Sequence, residues 1–188
     1  MKKLILNLTL TFTVILSSIA LSNLIKFPTR IHLEGNYMNL KANMKEIIND
    51  SGLIVIGKPI KINTFEYGNI IFTDYEIQTQ EVLKNSNNHN TEKIVVRLTG
   101  GKLNGVEQVS ENIKQLDLNN TYLFALHRTF PEKVGDCVYT PMGAYQGILN
   151  VNSKDSESYY TVNGFNKDNE IEKEVLNKKL NKNLHNNQ

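Results

Sequence analysis

Apolar and polar positions divide the chain into stretches of different period. Residues 4–25 form one uncharged run, mostly apolar, with eight polar residues interspersed from Asn7 to Asn23. Residues 26–39 carry no period, and Pro28, Gly35 and Asn36 mark them as a linker. Leu40, Met44, Ile47 and Ile48 then fall at i, i+4, i+7 and i+8, the spacing of one helical face. A short helix is predicted over 40–50, stopped by Asn49, Asp50, Ser51 and Gly52.

From residue 53 the period shortens to two. Residues 53–56 are a compact apolar run, continued by Ile60 and Ile62, with Pro59 predicting an edge or a bend. Residues 70–83 give the clearest strand: Ile71, Thr73, Tyr75, Ile77 and Thr79 face one way, and Asp74, Glu76, Gln78 and Gln80 the other. Residues 84–91 are a polar loop, and 93–99 a strand with Ile94, Val96 and Leu98 on one face, ended by Gly100 and Gly101. A turn at Asp117-Leu118-Asn119-Asn120 precedes a fourth strand over 121–128. Residues 129–135 read as a mobile connection to a last strand group at 137–139, 144–151 and 159–162. Short strands separated by turn signals predict a sandwich or a small barrel, and the alternation of strand and helix that marks a parallel sheet is not seen. Residues 167–188 are charged and helix-prone, but Leu176, Leu180 and Leu184 share a face that Ile171 and Val175 do not, so the amphipathicity is poor.

The first run has the form of an export signal. Lys2 and Lys3 supply a basic start, and the moderate hydrophobicity of 4–25 suits a cleavable core. Small residues permit cleavage after Ala20 or after Ser22, whereas an uncleaved run of this length would cross a bilayer as an anchor. Both alternatives keep the N-terminus inside and place everything after Ile25 outside.

Composition narrows the partners. Removing Lys2 and Lys3 from the 21 basic residues leaves 19 against 19 acidic ones, so the exported part is neutral and no nucleic-acid partner is expected. The single cysteine, Cys137, cannot close an internal disulfide, and a multi-cysteine zinc site is excluded. The four histidines, His32, His89, His127 and His185, form no pair at metal-ligand spacing, and no cofactor is expected.

Several strand segments resemble small secreted barrels of the oligonucleotide/oligosaccharide-binding (OB) type found among bacterial exported proteins. Ser51-Gly52-Leu53-Ile54-Val55-Ile56-Gly57-Lys58 resembles their opening strand, and residues 75–84 their second. Thr99-Gly100-Gly101, Asn120-Thr121-Tyr122-Leu123-Phe124-Ala125-Leu126 and Tyr145-Gln146-Gly147-Ile148-Leu149 are similar to later turns and strands of that group. The layout over 52–164 also resembles the netrin and metalloproteinase-inhibitor type of OB barrel. That inhibitor family acts through an N-terminal cysteine that chelates the target's zinc, and this chain has none near either cleavage point. The resemblance therefore implies the fold and not that chemistry.

Candidate chemistry is sparse. Cys137 with His127 and Asp136 is the one conceivable nucleophile set, although an ionised Asp136 would raise the thiol pKa. Asp74 and Glu76 share a strand face and so could pair as carboxylates, but the absence of tryptophan argues against a glycosidase. Gly100-Gly101 is a turn and not a phosphate loop. The resulting expectation is a mainly β, small antiparallel OB-like barrel at 40–165 with a short leading helix. A leader at 1–25, a linker at 26–39 and a polar, partly helical extension at 166–188 complete the chain. The preferred role is non-enzymatic: a binding or accessory protein at the bacterial surface whose partner is an extracellular or envelope protein. His127, Arg128, Tyr139 and Tyr145 are the candidate binding surface, together with the loops 84–92 and 129–142. The alternatives are a small extracellular hydrolase using Cys137 and an inhibitor of an extracellular protease.

Overall fold

A computed structural model of the chain describes residues 29–33, 44–86, 88, 90–110, 113, 115–128, 138–151, 158–161 and 171–172. Among the described residues the protein is mainly β, with one short helix. In chain order the elements are β1 (Thr29–Leu33), α1 (Met44–Asp50), β2 (Leu53–Tyr67), β3 (Ile70–Asn85), β4 (Lys93–Thr99), β5 (Gly101–Leu103), β6 (Val106–Ser110), β7 (Tyr122–Arg128), β8 (Val138–Pro141), β9 (Ile148–Val151), β10 (Ser158–Thr161) and β11 (Ile171–Glu172).

The long hairpin β2–β3 organises the molecule. Its strands of 15 and 16 residues turn at Gly68 and Asn69, both at positive φ. The register slips at Ile54/Val55, Ile56/Gly57 and Pro59/Lys61, so bulges coil the ribbon at the proline that predicted a bend. β7 pairs with β2 only over Gly57 to Leu53, and β4 pairs with β3 over Phe72 to Gln78. β8 is parallel to β4 and antiparallel to β7, and β9, β10 and β11 extend the sheet beyond β7. A second sheet, in the order β1-β6-β5, combines a tight β5–β6 hairpin with a parallel partner, β1.

The core has two layers because β7 and the first third of β2 are buried on both faces. Leu53 and Val55 join Tyr75, Ile77, Ile94, Val96, Leu98, Tyr122, Phe124, Leu126 and Tyr139 on one side. Ile54 and Ile56 join Leu123, Ala125 and Leu149 on the other, where Met44, Ile47 and Ile48 of α1 cover them. The compact apolar run at 53–56 is thus a strand with no solvated face. α1 ends where Ser51 Oγ donates to the Ile47 carbonyl at 2.6 Å, and Lys84 Nζ donates to the carbonyls of Ile48 and Asn49 at 3.0 and 2.9 Å. Burial lowers the Lys84 pKa, and Asp50 opposes that shift.

Several expectations need correction. Residues 29–33 are a strand, not linker, because β6 offers them a free edge. Gly101 opens β5 where the Gly-Gly pair was expected only to end a strand. The strand expected at 144–151 begins at Ile148; residues 142–147 form a turn in which Gly143 and Ala144 take positive φ. Ile171 and Glu172 pair with β10, so at those two positions the tail is extended and not helical. The leader and the segment 129–137 lie outside the described residues. Among the described residues no helix is long and apolar enough to cross a membrane.

Candidate binding surface

Hydrogen bonds fix which loops share an end of the molecule. Gly52 N donates to Leu126 O at 2.9 Å, and Ser86 N donates to Gly52 O at 2.9 Å. The start of β2, the exit of β3 into the 86–92 connection and the C-terminal end of β7 therefore meet at one pole. The hairpin turn at Gly68 and Asn69 lies at the other. A 15-residue strand spans roughly 50 Å when straight.

His127 and Arg128 close β7 at the first pole, both half-buried. They pair with Thr140 and Tyr139 of β8, and a 2.8 Å hydrogen bond joins Thr140 Oγ1 and His127 Nε2. That contact orients the imidazole across the β7–β8 ladder. Tyr139, placed on the surface by the sequence reading, is only 2% exposed and packs within the core, so its ring offers no contact surface. Tyr145 is half-buried in the 142–147 turn. The turn is bound back to β7 by Met142 N to Ala125 O at 2.9 Å and Ala125 N to Gly147 O at 2.7 Å. Gly147 is required there, since a Cβ would strike the Ala125 carbonyl and the Met142 backbone. His127, Arg128 and Tyr145 thus all attach to β7. Cys137 and Asp136 of the nucleophile set lie outside the described residues.

The remaining candidates resolve into structural roles. Asp74 accepts a two-pronged contact from Arg97, Nε to Oδ1 at 2.7 Å and Nη2 to Oδ2 at 2.8 Å, with both side chains 13% exposed. Glu76 pairs with Lys93 at 3.3 Å. Each carboxylate thus faces a cation across the β3–β4 ladder. Arg97 also lies 4.7 Å from the centre of the Phe65 ring, which stacks on Phe72 at 5.8 Å. The strand alternation gave the faces of Asp74 and Arg97, but their pairing needed the β3–β4 register. Among the described residues no three His, Cys, Asp or Glu side chains gather as a metal site.

A polar clasp at the second pole had no sequence signal. Gln108 of β6 is 7% exposed; its Oε1 accepts from Ile71 N at 2.6 Å and its Nε2 donates to Asn69 O at 2.8 Å. Gly100 N donates to Ile71 O at 2.7 Å, and Thr73 Oγ1 donates to Gly100 O at 2.7 Å. One buried glutamine and one glycine pair therefore lock the small sheet onto the hairpin end. No known protein-family model matches the chain, and no curated protein matches it either.

Proposed function

We propose that the chain is an exported, non-enzymatic binding protein with an OB-like barrel, and that it engages an extracellular or envelope protein through the pole that carries His127 and Arg128. The pairing order supports the barrel: from β7 it runs through β2, β3, β4 and β8 and returns to β7, with only the β4–β8 pair parallel. A five-stranded Greek-key barrel of OB type has this kind of partly closed sheet and binds through its loops. The leader pattern at 1–25 supports export, as its basic start and uncharged core suit translocation.

The observation that carries the choice of surface is the convergence of Gly52, Ser86 and Leu126. It brings the 86–92 connection beside His127 and Arg128, and places both at the opposite end of β2 from the hairpin turn. A photo-crosslinking residue introduced at Arg128 or Asn90 in producing cells is expected to form an adduct with an envelope protein. The same residue at Asn104, in the β5–β6 turn, is expected to form none. Adducts from Asn104 alone, or adducts only with cytosolic proteins, would overturn the assignment.

A further inference from the structure

The pole opposite to that surface has its own chemistry. β1 begins at Thr29, so only Lys26, Phe27 and Pro28 separate it from the uncharged run that ends at Ile25. Four residue steps of extended chain reach at most about 14 Å. If residues 4–25 lie in lipid, the sheet β1-β6-β5 is therefore confined near the headgroups. The sheet is also oriented. Ile31 is in register with Gln108, and Gln108 points onto the hairpin, so Arg30, His32 and Glu107 occupy the opposite side. Lys102, paired in register with Glu107, lies on that side too.

That outward side is cationic and open. Arg30 and Lys102 are 59% and 74% exposed, and both approach the one carboxylate, Glu107, at 3.8 and 3.3 Å. His32 on the same side is exposed as well. Two cations therefore share one anion on a surface that nothing covers among the described residues. At the same pole Tyr67 is 77% exposed and Ile70 38% exposed. Interfacial tyrosine, an isolated aliphatic side chain and basic residues suit a headgroup layer, where each Lys or Arg near an anionic surface contributes about 1 kcal/mol.

We infer that the outward face of the β1-β6-β5 sheet, carrying Arg30, His32 and Lys102, rests on anionic phospholipid headgroups while residues 4–25 hold the chain in the same bilayer. The inference depends on the export reading in its anchored form. It deepens that reading by fixing which pole faces the membrane. The Gln108 clasp makes the contact rigid, because it fixes the small sheet to the long hairpin. The pole with His127 and Arg128 is then held away from the lipid, presented to a partner.

The test uses the full chain in vesicles of phosphatidylglycerol and phosphatidylcholine, with Cys137→Ser and a single fluorophore at Val109→Cys or Ser86→Cys. Headgroup-spin-labelled lipid is expected to quench the fluorophore at 109 and to spare the one at 86. Arg30→Glu with Lys102→Glu is expected to lower quenching at 109 on the mixed vesicles and to leave it unchanged on phosphatidylcholine alone. Those exposed ion pairs hold little of the fold together, so the double variant is expected to keep its circular dichroism. A chain that floats with vesicles but is quenched equally at both positions, or more at 86, overturns the orientation and leaves anchoring intact. A full chain that does not float with vesicles overturns the anchor and this inference with it.

Discussion

Substituting Gly101 by alanine tests how the small sheet is seated. Gly101 has φ +145°, and a Cβ there would collide with Thr73 Oγ1 and lie 3.2 Å from Thr64 Cγ2. The backbone strain costs about 1–3 kcal/mol. Overpacking against Thr64 and Thr73 costs a similar ~1–3 kcal/mol. Displacing Thr73 also endangers its 2.7 Å hydrogen bond to Gly100 O, a further loss of about 1 kcal/mol. The combined cost is about 3–7 kcal/mol, a large part of the 5–15 kcal/mol that holds a typical domain folded. Gly105→Ala is the matched control. It has φ +80° with no atom within 4 Å of the added Cβ, so only about 1–2 kcal/mol of backbone strain is expected. Urea unfolding of both variants gives the comparison, with amide exchange over residues 101–110 showing whether β5 and β6 detach locally. Equal losses at 101 and 105 would refute the packing argument.

Further outcomes follow from the core and from the polar contacts around it. Ile47, 0% exposed on the buried face of α1, is expected to cost about 2–5 kcal/mol on change to alanine, whereas Ile47→Val is expected to cost about 1 kcal/mol, both read by thermal melting. Tyr75 accepts a 3.1 Å hydrogen bond from Leu116 N and donates to Gln115 Oε1, so Tyr75→Phe is expected to lose about 1–3 kcal/mol and to raise amide exchange at Leu116. Burial, partly offset by the hydrogen bond from Leu116, pushes the Tyr75 pKa from 10.0 up to about 12. A group with a raised folded pKa stabilises fully below its unfolded value, so stability is expected to hold below pH 10 and to fall as pH rises through 12. Denaturation midpoints across that window measure it, and the fall is expected to be shallower in Tyr75→Phe.

β3 and β4 were legible because their buried positions alternate with more exposed ones. The alternation at Ile71, Thr73, Tyr75 and Ile77 gave the buried face of β3, and Ile94, Val96 and Leu98 gave that of β4. The helix was legible for the same reason, since Met44, Ile47 and Ile48 are its buried residues. β1 was not legible, because its pattern is exposed nearly throughout and its stability comes from a backbone ladder to β6. β5 and β6 were missed because Gly100 and Gly101 read as a terminator, whereas their positive φ values carry the chain over the hairpin and onward. The turn at 142–147 was read as part of a strand, whereas its shape is set by Gly143, Ala144 and the close approach of Gly147 to Ala125. For the surface, His127 and Arg128 stand at a strand end as expected, while Tyr139 turned inward. A short apolar strand does not reveal which side of a tyrosine the neighbouring β4 will cover.

The account stands or falls on where residues 29–188 reside. A phosphatase reporter that folds only outside the cytoplasm, fused after Gln188 and expressed in the producing cell, measures this directly. Export predicts activity in intact cells that disappears when residues 4–25 are deleted. A fusion that is inactive in intact cells, while a cytosolic reporter at the same position is active, would contradict both the surface role and the membrane-facing sheet.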